Sequence, residues 1–179
     1  IILLMKEGYN MNGKNALVCG SSKGIGASTA IELSKLGASI TLLARNKDTL
    51  SSVLDKLDSS NNQKHNYLIS DFDDPIKLKN TINDFVTTNP PIHILINNSG
   101  GPTPGPIIDA NVDDFIGAFN RHLICNHILV QALVPNMKKA NFGRIINITS
   151  TSVKQPIKGL GISNTIRGAV ASWAKTLSI

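Results

Sequence analysis

Asn15-Ala16-Leu17-Val18-Cys19-Gly20-Ser21-Ser22-Lys23-Gly24-Ile25-Gly26 is the stretch that decides the fold. Its first five residues form a short apolar run of the kind buried on both faces of a sheet. The glycines that follow are spaced G-x-x-x-G-x-G, and a helical period begins inside them. Ala27, Ala30, Leu33 and Leu36 fall three residues apart, and Gly37 supplies a stop. Strand, glycine turn and helix in this order place helix N-terminal amides over the turn, where they suit phosphate. Gly20 permits the tight turn, Gly24 lets backbone approach a pyrophosphate, and Gly26 lets the helix pack against the sheet. Ser22, Lys23 and Ile25 complete the expected cradle.

The same alternation continues along the chain. Ser39 to Leu43 reads as a second strand, Asp48 to Leu57 as a helix, and Tyr67 to Ser70 as a weaker third strand. Pro75 opens a helix, as proline does at a first helical position, and Pro90-Pro91 closes it. His93 to Ile96 is strand four, and a Gly/Pro-rich loop leads to one long helix from Val112 to Lys139. Arg144 to Thr149 is strand five, and Ser163 to Leu177 the last helix. Apolar strands alternating with helices predict an α/β fold, a doubly wound Rossmann parallel sheet of order 3-2-1-4-5 with helices on both faces. Ligands bind such sheets beyond the carboxyl ends of the strands, so chemistry is sought after Cys19, Leu43, Ser70, Ile96 and Thr149. Residues 1–13 are expected to form a loose extension, and residues 14–179 one dinucleotide-binding domain.

Composition narrows the function. A chain of 179 residues with 41% hydrophobic and 17% charged residues is neither disordered, collagen-like nor a coiled coil. Its net charge is +6, yet the lysines are scattered and no basic face carries interleaved aromatics, so nucleic acid is not an expected partner. The apolar start, Ile1 to Met5, is too short for a signal core or a membrane span. Two cysteines, Cys19 and Cys125, give neither a disulfide framework nor zinc spacing, which predicts a reduced, cytoplasmic setting and no metal.

The second strand ends in Leu43-Ala44-Arg45-Asn46, with no acidic residue until Asp48. An acid at that place would bind a ribose 2′-hydroxyl, whereas the planar donors of Arg45 suit a 2′-phosphate. Lys23 adds a second cation, so NADP(H) is expected over NAD(H).

With these residues the chain resembles the short-chain dehydrogenase/reductase family, particularly its 3-oxoacyl-acyl-carrier-protein-reductase-like members. The resemblance rests on Gly20 to Gly26, on Asn97-Asn98-Ser99-Gly100, and on Asn147-Ile148-Thr149-Ser150, with Asp71-Phe72 at the family's adenine-contacting pair. It implies that Asn98, Ser99 and Gly100 line the adenosine side, with Ser99 in place of a commoner alanine. It also implies carbonyl reduction or alcohol oxidation of a small molecule by hydride transfer, and a homo-oligomer, dimer or tetramer.

The family's catalytic serine, tyrosine, lysine and asparagine map onto this chain unevenly. Ser150 matches the serine. Ser163 stands thirteen residues on at the tyrosine's place, Arg167 replaces the lysine, and His122 replaces the asparagine. Neither Tyr9 nor Tyr67 is followed by a lysine four residues later. A serine hydroxyl is a far poorer proton donor than a phenol, and Arg167 stays charged. His122 is expected either to titrate near neutral pH and feed protons to the site or to hydrogen-bond within the helices. Cys125 follows His122 by three residues and is read as a buried helix cysteine rather than a nucleophile. The other histidines, His65, His93 and His127, read as surface or packing residues.

Family members continue past the helix carrying Arg167 with another strand, helix and strand, and the sequence ends at Ile179. The substrate-covering part is therefore expected to be absent from it. Three readings follow. The first is an NADP(H)-dependent oxidoreductase with an atypical active site. The second is a non-catalytic NADP(H)-binding protein, and the third an oligomeric scaffold.

Overall fold

A computed structural model describes residues 10–179. Five strands carry the sheet: β1 (Asn15–Cys19), β2 (Ser39–Ala44), β3 (Asn66–Ile69), β4 (Ile94–Asn97) and β5 (Arg144–Asn147). All pairings are parallel, and the order is β3-β2-β1-β4-β5. This is the doubly wound order expected from the βα alternation. Register runs evenly from Leu17 to Thr41 on one side and from Leu17 to Leu95 on the other, so β1 lies at the centre of the sheet.

The helices are α1 (Gly24–Lys35), α2 (Lys47–Leu54), α3 (Pro75–Thr88), α4 (Val112–Phe119), α5 (Cys125–Lys139) and α6 (Gly161–Leu177). Each face of the sheet has its own core. Leu17, Leu43 and Leu95 pack with Leu78 and Ile82 of α3 and with Leu129 and Leu133 of α5. On the other face Val18, Ile40 and Leu42 pack with Ala30 of α1 and Leu50 of α2. Alternate residues of one strand thus feed opposite cores, which is why the inner strands β1, β2 and β4 are mostly apolar.

Asn46 and Asp74 start α2 and α3 by accepting from the backbone N–H groups of Thr49 and Lys77, each at 2.9 Å. Where α1 ends, the N–H of Met11 donates to the Leu36 carbonyl at 2.8 Å, and the Met11 side chain packs on the second core. The last residues of the expected loose extension are therefore docked on the domain. The remainder of it, residues 1–9, lies outside the described residues.

The single long helix expected from Val112 to Lys139 is instead interrupted. A π turn spans Asn120–Ile124 between α4 and α5. Pro135, further along, stays inside α5. No helix among the described residues is long and apolar enough to cross a membrane.

Candidate functional site

At Gly20 and Gly26 the glycine turn is built from contacts that leave no room for a side chain. Gly20 has φ +58°, and a Cβ there would lie 2.7 Å from the Asn98 carbonyl oxygen. At Gly26 a Cβ would run into the carbonyl of Gly20, so α1 rests directly on the turn. Gly24 has φ +57° with open space around it, so here the constraint is conformational rather than steric. Asn98 straps the turn from the end of β4, its Nδ2 donating to the carbonyls of Cys19 at 3.2 Å and Gly20 at 3.3 Å. Ser21, fully buried, ties the turn to β2 by accepting from Leu43 N–H at 2.9 Å. Sequence reasoning missed Ser21, because a serine in a glycine loop carries no mark of burial.

Lys23 caps α1 without a side-chain hydrogen bond, and no acid occupies the first turn. The first N–H groups of α1 are therefore left for an external acceptor. They open onto a cavity of about 710 Å³ at the carboxyl ends of the strands.

Of the expected cofactor residues, Gly20, Ser22, Lys23 and Ile25 line this cavity from the glycine turn. Arg45 and Asn46 line it from β2, Asp71 and Phe72 from β3, and Asn98, Ser99 and Gly100 from β4. Gly24 and Gly26 shape the wall without lining it. Four further polar residues, Thr49, Ser70, Asp73 and Arg121, line it and were not among the expected cofactor residues.

Charge is concentrated at one end of the cavity. Arg45 Nη1 lies 3.6 Å from Asp71 and 3.8 Å from Asp73. Arg121, from the π turn, donates from Nε at 2.8 Å and from Nη2 at 2.5 Å to Oδ1 of Asp73. In sequence, no acid stands near Arg45 before Asp48. Folding brings two acids from β3 beside it, so the local sum is three cations, with Lys23, against two carboxylates.

The four expected catalytic residues lie outside this lining, on neighbouring elements. Ser150 caps a short 3₁₀ turn (Thr151–Val153), its Oγ accepting from Ser152 N–H at 3.1 Å. Ser163 and Arg167 are half-buried, one helical turn apart on α6, which packs against that 3₁₀ turn. Arg167 Nη1 donates to the Ile148 carbonyl at 2.6 Å, at the end of β5. Burial of its guanidinium holds its pKa below the ordinary arginine value.

His122 sits within the π turn at 2% exposure. Its Nδ1 is 2.7 Å from Ser99 Oγ, and its Nε2 is buried with no partner among the described residues. Burial, and then the cations Arg167 and Arg121, push its pKa down to about 3. Of the two roles expected for His122, titration near neutral pH is therefore set aside: the imidazole is neutral there and bonded to Ser99. Burial, which a sequence does not display, decides the point.

Cys125 is a buried packing residue, as expected. Its Sγ–H donates to the Phe72 carbonyl at 3.3 Å, and burial pushes the thiol up to about 12. Cys19 is shifted upward for the same reason. The described residues hold no cluster of His, Cys, Asp or Glu fit for a metal ion.

The family model for short chain dehydrogenases matches residues 14–178. The chain belongs to this family. It is 30% identical over 166 residues to an uncharacterized oxidoreductase of Staphylococcus epidermidis, covering 92% of this chain and 70% of the relative. It is 27% identical to an NADP-dependent 3-hydroxy acid dehydrogenase of Schizosaccharomyces pombe, covering 93% of this chain and 65% of that one. The crystal structure of L-sorbose reductase from Gluconobacter frateurii, complexed with NADPH and L-sorbose, superposes with a TM-score of 0.87. The two chains are 27% identical, with 94% of this one and 64% of that one covered. The chain thus spans less than two thirds of these last two relatives.

Proposed function

We propose that the chain is the cofactor-binding part of an NADP(H)-dependent oxidoreductase that reduces a carbonyl or oxidises an alcohol on a small molecule. One observation carries this reading. The glycine turn and the uncapped start of α1 open, with Lys23 and Arg45, onto one cavity at the ends of the strands. The residues fit a dinucleotide, because the close packing of Gly20 and Gly26 with Asn98 holds the turn in shape and no acid opposes phosphate in the first turn of α1. The NADP-dependent Schizosaccharomyces pombe dehydrogenase and the sorbose reductase solved with NADPH agree with that choice.

When bound, the cofactor supplies or accepts a hydride. The chain's own groups do the rest. Gly20, Ser22, Lys23, Gly24, Ile25 and Gly26 hold the phosphates, and Arg45 and Asn46 meet the 2′-phosphate. Asp71, Phe72, Asn98, Ser99 and Gly100 position the adenosine. At the reacting end, Ser150 and Ser163 offer hydroxyl donors to a carbonyl oxygen, and the fixed charge of Arg167 stabilises negative charge developing there. His122, neutral and bonded to Ser99, positions that strand end rather than donating a proton. The proton comes from water.

The reading extends to a cytoplasmic protein that forms a homo-oligomer. Val112, Ile116 and Phe119 support the latter, since they are 73%, 52% and 39% exposed along one face of α4. A second reading, a protein that binds NADP(H) without turning it over, is favoured by one observation: a serine stands where the family places its phenol. Titration with NADPH and NADH followed by a carbonyl panel separates the two. Tighter NADPH binding with turnover supports the enzyme, and binding without any turnover supports the second. Equal affinities for the two cofactors remove the NADP(H) assignment from both.

A further inference from the structure

Asp73 is one of two acids beside Arg45 in the charged end of the cavity, and it is already engaged. Both donors of Arg121 converge on its Oδ1, at 2.8 and 2.5 Å, while Arg45 stands 3.8 Å from Oδ2, beyond hydrogen-bond distance. The two arginines differ in freedom as well. The Arg45 side chain is 69% exposed and that of Arg121 only 27%. Arg121 owes its place to the π turn. That turn sets it on the cavity wall facing β3, forty-eight residues from its partner in sequence.

We propose that Arg121 is a specificity-determining residue for the 2′-phosphate, acting by occupying Asp73 so that Arg45 stays available. The inference rests on the NADP(H) reading given above. Without Arg121, the Asp73 carboxylate has one close cation left, Arg45. That guanidinium is already 3.6 Å from Asp71, and it would close onto both acids. An incoming phosphate would then have to break those pairs and lie beside an unneutralised carboxylate. A ribose 2′-hydroxyl would meet no such penalty and would gain an acceptor. Arg45 offers the charge, and Arg121 keeps it on offer.

The test compares dissociation constants for NADPH and NADH, and for the fragments 2′-AMP and 5′-AMP, which bind without any reaction. The wild type is expected to prefer the 2′-phosphorylated member of each pair. Arg121→Gln is expected to reduce that preference roughly fivefold, the scale of one partly exposed ion pair. Adding Asp73→Asn to Arg121→Gln restores it, because the acid that Arg121 neutralised is gone. Asp73→Asn alone, which leaves the π turn untouched, raises the preference above wild type. A ratio unchanged in Arg121→Gln, or still low in the double variant, overturns the role of Arg121 while leaving the NADP(H) reading in place. If Arg121→Gln fails to fold, an unraised ratio in Asp73→Asn overturns it. A wild type without preference overturns both.

Discussion

Ser99 Oγ and His122 Nδ1 stand 2.7 Å apart, joining the end of β4 to the π turn between α4 and α5. This bond connects a residue on the wall of the nucleotide cavity to a buried imidazole beside the cation of Arg167. Among the described residues it is the one side-chain hydrogen bond from the cavity lining to the four residues at the family's catalytic positions.

The burial that makes this bond dry also makes the fold acid-sensitive. The folded-state pKa of His122 is about 3, below its ordinary 6.5. Between those values the unfolded chain takes up a proton that the folded chain refuses, so stability is full above the upper value and falls with acid toward the lower. The slope from this one group is on the order of 1.4 kcal/mol per pH unit in that window. His122→Asn is expected to flatten the decline. Urea midpoints of both proteins between pH 7 and pH 4 check this, and parallel declines would show that another group is responsible.

The two constrained glycines should separate stability from binding. Gly26→Ala drives a methyl into the Gly20 carbonyl and must lift α1 from the turn, at a cost of about 1–3 kcal/mol. Gly24→Ala has open space and loses only backbone freedom at φ +57°, costing about 1 kcal/mol. Both are expected to weaken NADPH binding, yet Gly26→Ala should melt lower than Gly24→Ala. Thermal unfolding alongside NADPH titration checks the order, and equal melting temperatures would contradict it.

An apolar stripe on α4 calls for a covering surface. Val112, Ile116 and Phe119 recur at helical spacing on its exposed side, whereas Ala118 turns inward and is buried. Ile116→Asp places a charge at the middle of that stripe and is expected to yield monomer from a wild-type dimer or tetramer, with little change in NADPH affinity. Light scattering at micromolar concentration reads the result. A wild type already monomeric would remove the oligomer from the proposal.

What could be read in advance follows a physical line. The strand order was legible because the inner strands are apolar on both faces and each crossover contains a helix. Those patterns are local, and parallel pairing follows from them. The glycine turn was legible because φ above zero and the close approach of Gly20 and Gly26 leave a residue-type signature. The π turn at Asn120–Ile124 left none. Phe119-Asn120-Arg121-His122-Leu123 contains no Gly or Pro, and its periodicity passes for continuous α-helix. Nor was the Arg45–Asp73–Arg121 cluster legible, because its members come from the end of β2, the loop after β3 and the π turn, and meet only through the fold. Of the two roles open to His122 in sequence, titration near neutral pH and hydrogen bonding, burial favours the second, and depth of burial is a tertiary quantity.

The altered catalytic positions give the last prediction. Ser163 and Arg167 lie one turn apart on α6, and Arg167 spends one donor on the Ile148 carbonyl at 2.6 Å. That bond anchors the guanidinium beneath the end of β5, two residues before Ser150, and among the described residues its remaining side-chain N–H groups have no other partner. Two hydroxyls and a permanent cation polarise a carbonyl but provide no group that exchanges a proton near neutral pH. With His122 neutral as well, turnover on simple ketones is expected to be slow. Ser163→Tyr together with Arg167→Lys supplies a phenol and a cation able to lower its pKa. Positioned acid catalysis is commonly worth about 10²–10⁴-fold, and the double variant should recover part of that in kcat. Neither single variant should do so alone, because the phenol without lysine stays at its ordinary pKa and the lysine without phenol has nothing to activate. Steady-state rates with NADPH on a carbonyl panel provide the measurement. If the double variant binds NADPH with unchanged affinity yet stays inert across the panel, hydride transfer is not what this pocket does, and the non-catalytic binding protein is the surviving reading.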